Sequence, residues 1–234
     1  MVRMWSFRKN KDLHRVEITD TYQTLAAPSE GEFKDRGSKF LAYAYSVENK
    51  QEIEAAQTEV RKLHPKARHH CYAYRLGLDK NNFRANDDGE PSGTAGRPIL
   101  GQIDSAGITN TIIIVVRYFG GTLLGATGLI NAYRKSAAEA LATATVVERI
   151  VEEKYTLHFD YSHMSKVMNA ISQPPFRMLE QRFTETAELD IAIRRTLVDD
   201  ALVQLKAQVA EVYLEEVAEL EEIEGFKIEH GGTV

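Results

Sequence analysis

The chain is punctuated by apolar runs of two different periods. The run Thr111 to Val116 reads Thr-Ile-Ile-Ile-Val-Val, an unbroken stretch that predicts the central strand of a sheet. Leu41, Tyr43 and Tyr45 alternate with Ala42, Ala44 and Ser46, the period of a half-buried strand. Before it, Glu32 to Phe40 predicts a strand, a turn at Gly37 and a second strand, and His70 to Leu78 returns to strand. The helical period appears in Glu48 to His64, where Ile53, Ala56, Val60 and Leu63 share a face and Pro65 ends the helix. A shorter helix fits Ile99, Leu100 and Ile103 between Gly96 and Gly107, and a longer one, rich in alanine and leucine, runs from Thr127 to Thr145.

Past Glu148 the pattern changes. Strand Tyr155 to Tyr161, helix Ser162 to Ser172, hairpin strands Arg177 to Thr184 and Ala187 to Arg195, helix Asp199 to Tyr213, and a last strand or extended end at Val217 to Ile223 give the order β-α-β-β-α-β. That is the ferredoxin-like, split βαβ order. The expected class is α+β, with a tail over 1–20, a first domain over 21–146 and a ferredoxin-like domain over 147–234.

Composition narrows the class of protein. With 234 residues, 43% hydrophobic and 27% charged, the chain suits one large or two modest soluble domains. No apolar run is long enough for a bilayer, and the N-terminus lacks a basic-then-apolar signal pattern, so the expectation is a cytoplasmic protein with no membrane partner. The single cysteine, Cys71, excludes an internal disulfide framework. The net charge of −5 is divided unevenly: residues 1–148 hold 20 Lys+Arg against 17 Asp+Glu, and residues 149–234 hold 9 against 17. An acidic C-terminal third argues against nucleic-acid binding by that part, while the first part can still present a local basic patch.

Candidate chemistry concentrates in two glycine-rich loops around the strongest strand. The first reads Asn86-Asp87-Asp88-Gly89-Glu90-Pro91-Ser92-Gly93-Thr94-Ala95-Gly96-Arg97-Pro98, and the second Arg117-Tyr118-Phe119-Gly120-Gly121-Thr122-Leu123-Leu124-Gly125. Two readings stand side by side. Backbone N–H groups near Gly93, Gly96, Gly120 and Gly121, with Arg97 and Arg117, could cradle an anion or an RNA backbone. Alternatively the loops are tight turns in which each arginine pairs with Asp87, Asp88 or Glu90. Neither loop has phosphate-loop or dinucleotide spacing. His69, His70 and Cys71 lack the spacing of a metal site, and no third group orients a cysteine nucleophile, so no metal or cofactor is expected. Asp87, Asp88 and Glu90 could form an acid–base pair or a magnesium site, but such a cluster more often caps a helix and balances arginine, and Asp87-Asp88-Gly89 is also a good turn. Cys71 reads as a core residue with a histidine hydrogen-bonded to the acidic loop, Ser92 and Thr94 read as helix caps, and Tyr72, Tyr74, Tyr118 and Phe119 near the loops read as packing residues, with stacking on bases as the alternative.

Three segments together resemble the IMPACT/YigZ family: Ala67-Arg68-His69-His70-Cys71-Tyr72-Ala73-Tyr74, Asp87 to Pro98, and Val116-Arg117-Tyr118-Phe119-Gly120-Gly121 with Leu124-Gly125 and Tyr133. The chain has Thr127 and Asn131 where the family tends to have a glycine and a basic residue. The resemblance implies a first domain similar to domain IV of elongation factor G and a second similar to its domain V. Eukaryotic members act in translational control by competing for a partner of the starvation-sensing initiation-factor kinase. The expected function is therefore a non-enzymatic, translation-associated protein, with a monomer favoured but its oligomeric state left open by the sequence. It would bind RNA, the ribosome or a translation-linked protein through Arg68, His69, His70, Asp87, Asp88, Glu90, Ser92, Arg97, Arg117, Tyr118, Gly120 and Gly121. The rivals are a small-molecule hydrolase using His69 or His70 with Asp88 or Glu90, and a protein–protein adaptor.

Overall fold

Residues 20–79, 81–220 and 222–234 are described by the computed structural model, and the expected tail lies outside them except for Asp20. The chain forms two compact units, one over Thr21–Ile150 and one over Val151–Val234 together with Asp20.

In the first unit the β-branched run forms β6 (Thr111–Tyr118), the middle of a five-stranded antiparallel sheet. Its neighbours are β3 (Ser38–Ser46) and β4 (His69–Leu76), and the edges are β2 (Ser29–Asp35) and β5 (Asn82–Asn86), in the order β2-β3-β6-β4-β5. Helix α1 (Lys50–Leu63) covers one face: Ile53, Ala56 and Val60 pack on Tyr72, Tyr74, Ile112, Ile114 and Val116. Helices α2 (Gly96–Ser105) and α3 (Gly125–Ala142) cover the other, where Ile99, Ile103, Leu129, Tyr133 and Ala137 meet Phe40, Ala42, Ala44, Cys71, Ala73, Ile113 and Val115. The alternation along β3 sorts side chains by size. Its tyrosines lie against the α1 layer and its alanines against α3, which lets that helix come close. At Gly31 on β2 a Cβ would stand 2.2 Å from the Ala140 backbone nitrogen. A separate ribbon pairs β1 (Thr21–Leu25) with β7 (Val146–Ile150). The strands β5 and β7 carry no apolar alternation: β5 is Asn-Phe-Arg-Ala-Asn on an exposed edge.

The second unit contains β8 (Glu152–Phe159), α4 (Met164–Ile171), β9 (Phe176–Phe183), β10 (Ala187–Arg194), α5 (Val198–Ala210) and β11 (Phe226–Thr233), with the sheet order β11-β8-β10-β9. Val167, Ile171, Leu205 and Val209 cover one face of that sheet at Leu157, Leu189, Ile191 and Ile193. The element order is β-α-β-β-α-β, but the last strand is not at Val217 to Ile223. Leu214–Glu219 winds into a 3-10 helix that buries Val217, and the strand begins after Gly225, where φ is +70°. Glutamates at 215, 216 and 219 interrupt the alternation a strand requires, whereas Phe226 and Ile228 supply it. Asp20 joins this unit by accepting the Val151 N–H at its carbonyl and by bonds from Arg194 and Thr196 to its carboxylate.

Gly31→Ala drives a methyl group into helix backbone that cannot rotate away. We expect a loss of about 1–3 kcal/mol, read as a lower urea midpoint with an unchanged slope.

Candidate functional site

Both glycine-rich loops lie at one end of the five-stranded sheet. His69 on β4 stands opposite Arg117 on β6, so the start of one strand and the end of the other bring the loops together. The first loop is organised by Asp87. One of its carboxylate oxygens accepts the N–H groups of Ala95 and Gly96, both at 2.9 Å, and the other accepts that of Gly93 at 2.8 Å. Helix α2 is thereby capped from eight residues upstream. Ser92 and Thr94 do not cap it: Ser92 is exposed and the Thr94 hydroxyl donates to the Pro91 carbonyl at 2.6 Å. Burial raises the Asp87 pKa, but the three N–H bonds and the charge of Arg97 outweigh it, and the group stays below the ordinary carboxylate value. Gly96 is required here because a Cβ would lie 2.4 Å from the Asn86 nitrogen.

Asp88 faces the histidines. Its carboxylate accepts the His70 backbone N–H at 2.6 Å and lies 3.6 Å from Arg61. Its carbonyl lies 2.8 Å from Nδ1 of His69; a carbonyl only accepts, so that nitrogen carries the proton. His70 points into the α1 side, with Nε2 buried and without a hydrogen-bond partner among the described residues, and desolvation followed by the charge of Arg61 lowers its pKa. On the same side His64 bridges Tyr43 at 2.6 Å and Tyr118 at 3.0 Å, which ties the Tyr118 ring to the end of α1.

Glu90 and Arg117 are inside the protein. Their side chains are 4% and 7% exposed and pair at 2.7 Å, and the same Glu90 oxygen accepts the Tyr133 hydroxyl at 2.8 Å. The guanidinium lies 5.4 Å from the Phe40 ring centre and 5.5 Å from that of Phe119. Cys71 completes the cluster: its thiol points at the Asp87 carbonyl at 2.9 Å and lies 3.3 Å from the Tyr133 oxygen. Burial first, and then the nearby carboxylates, push the thiol pKa far up, which favours the neutral thiol over the thiolate in the folded protein.

What remains on the surface is basic and apolar. Arg68 and Arg97 are exposed and make no ion pair among the described residues. Phe119 is 55% and Leu123 82% exposed in the second loop, a feature the loop's glycine count concealed. Gly121 faces open space with φ +88°, whereas Gly120 is held by packing: a Cβ there would lie 1.9 Å from the Gly37 carbonyl carbon. The arginines therefore divide, Arg117 into a buried ion pair and Arg97 to the surface. No group of three or more His, Cys, Asp or Glu among the described residues is arranged to hold a metal ion.

Glu90→Ala leaves the Arg117 guanidinium buried without its anion and should cost about 3–5 kcal/mol in denaturant unfolding. Adding Arg117→Met to that variant should return much of the loss, which a double-mutant cycle measures. Asp87→Asn should cost about 1–3 kcal/mol at neutral pH. Because the folded pKa of Asp87 is depressed, its stabilisation is present above the unfolded value of about 3.9 and fades as pH falls through the lower folded value. The gap between wild type and variant should accordingly close below that pH in unfolding curves taken down the acid range.

The Impact N-terminal domain family matches residues 36–141. IMPACT family member YvyE of Bacillus subtilis is 36% identical over 170 residues, covering 73% of this chain and 78% of the relative. IMPACT family member YigZ of Escherichia coli is 32% identical over 158 residues, covering 67% and 78%. A crystal structure of a protein described as hypothetical aligns with a TM-score of 0.68 at 29% identity, over 83% of this chain and 93% of the other. The Asp87 to Pro98 loop, the buried Arg117 and the Gly120-Gly121 turn all lie within the matched domain, and the chain belongs to the IMPACT family.

Proposed function

We propose that this protein is a non-enzymatic, cytoplasmic, translation-associated factor whose first unit binds RNA on the ribosome. The observation that carries the reading is the division of charge in the two loops. Glu90 is paired with Arg117, and Asp87 and Asp88 accept backbone N–H groups, with Arg61 3.6 Å from Asp88, while Arg68 and Arg97 are exposed and make no ion pair among the described residues. With its acids engaged in this way the surface offers positive charge to a phosphate backbone, and exposed Phe119 offers a ring on which a base can stack. Family membership supports the translational setting, because eukaryotic members act in translational control. The β-α-β-β-α-β unit is read as ferredoxin-like and similar to domain V of elongation factor G, and the first unit as similar to domain IV of that factor, a pairing suited to a ribosomal partner. The proposed domain boundary lies within 144–150, and a monomer is the favoured state.

Less supports the hydrolase reading: Glu90 is committed to Arg117 and Tyr133, the Nδ1 proton of His69 is held by a carbonyl, and the His70 ring, 4.0 Å from Asp88, is buried. Sucrose-gradient sedimentation of lysate at low and moderate salt tests the proposal. We expect migration with ribosomal particles that salt removes, and at least about a tenfold weaker association for Arg68→Ala/Arg97→Ala, since each phosphate contact contributes to the salt-dependent affinity. Migration at the top of the gradient at both salts sinks the proposal. Association that resists salt and ignores the arginines points to a protein adaptor instead.

A further inference from the structure

The second glycine-rich loop holds an aromatic ring at the surface with a cation behind it. Phe119 follows β6 directly and is 55% exposed, yet its ring centre stands 5.5 Å from the Arg117 guanidinium. That guanidinium is itself fixed, by Glu90 at 2.7 Å and by the Phe40 ring at 5.4 Å. A cation over one face of a ring restrains the ring's orientation. Phe119 is therefore a braced platform, and it belongs to no hydrophobic cluster of the described residues.

The loop rests on a hairpin turn with an unusual residue. Asp35 on β2 stands opposite Ser38 on β3, which leaves Arg36 and Gly37 as the turn, with φ of +44° and +79°. Turns of this kind ordinarily place asparagine, aspartate or glycine first, because a longer side chain is strained in the left-handed region. Here the position holds an arginine that is exposed and makes no ion pair among the described residues, whereas Lys34 and Lys39 of the same hairpin share Glu32 at 2.6 Å and 2.9 Å. Gly37 meets Gly120 backbone to backbone, and the Gly120 N–H donates to the Ser38 hydroxyl at 3.2 Å. Arg36 and Phe119 are each the residue before one of those touching glycines, so the turn and the ring are locked to each other. A strained arginine kept at the surface points to a ligand rather than to the fold. A braced ring accepts another planar ring, and a free guanidinium accepts phosphate. A nucleotide whose base is unstacked offers both, while a duplex keeps its bases paired and stacked. We infer that Phe119 and Arg36 bind single-stranded RNA, one unpaired base stacking on the ring and a phosphate meeting the guanidinium. The inference rests on the RNA reading of the first unit and adds to it the form of the strand and a contact residue, Arg36, outside both glycine-rich loops.

The test uses the full chain and three labelled RNA probes of equal length: a single strand of mixed sequence, the same strand in a duplex, and the same backbone with abasic sites. Fluorescence anisotropy at low salt should rank the intact single strand at least about fivefold above the abasic one, the smallest factor expected of one base stacked on a ring. Phe119→Ala should remove that factor and leave duplex binding unchanged, and Phe119→Trp should keep it. Arg36→Gly should weaken single-strand binding and lower the slope of log affinity against log salt by about 0.7, the share of one phosphate contact. Glycine suits the positive φ of the turn, so that loss does not come from a damaged hairpin; circular dichroism checks the fold of each variant. Equal affinity for intact and abasic strands, or single-strand binding unchanged by Phe119→Ala, overturns the inference and leaves the RNA reading standing on Arg68 and Arg97. A salt slope unmoved by Arg36→Gly overturns the phosphate contact. No binding to any probe overturns the RNA reading and the inference together. If ribosomal particles still carry the protein in that case and Phe119→Ala releases it, the ring belongs to a protein contact instead.

Discussion

One carboxylate holds the candidate site together. Glu90 arrives on a surface loop, yet its side chain is among the most buried acids of the chain, where an unpaired charge would cost several kcal/mol. It is tolerable because the central strand supplies Arg117 and helix α3 supplies the Tyr133 hydroxyl to the same oxygen. Three elements distant in sequence are therefore fixed by one atom. The order of the loop follows from it: with Glu90 drawn inward, Asp87 is left to cap α2 and Asp88 to hold the start of β4. The glycines that sequence reading associates with an anion cradle serve this closeness, since Gly96 and Gly120 stand where backbone meets backbone.

The sequence conveyed periodic features well and reciprocal ones poorly. The run at Thr111 to Val116 announced the central strand because burial on both faces removes polar residues from it. The tyrosine–alanine alternation of β3 announced two faces of different depth. Edge strands β5 and β7 were silent because exposed positions carry no apolar constraint. In the site, the gathering of glycine, acid and arginine was legible, and so was a buried cysteine beside a histidine bonded to the acidic loop. Which arginine pairs and which faces solvent was not, because that choice depends on distances between strands. A capping carboxylate in the acidic loop was legible too, but not that Asp87 would supply it in place of Ser92 and Thr94, because a cap eight residues upstream falls outside any local pattern.

The first loop divides its charges by depth. Glu90 pairs with Arg117 inside the protein, Asp87 and Asp88 accept backbone N–H groups, and Arg97 is left exposed. Charge totals, near balance in the first part of the chain and acidic in the last, do not reveal that division, because pairing is decided by depth and distance rather than by count.

The burial of Cys71 has a consequence of its own. The thiol lies between the sheet and α3, under the Asp87 carbonyl and beside Tyr133, and it is the sole sulfhydryl of the chain. An electrophile can reach it only while the helix layer is lifted from the sheet. The cysteine is therefore a timekeeper for the first unit, and its rate of alkylation counts the moments at which the Glu90 contact lets go.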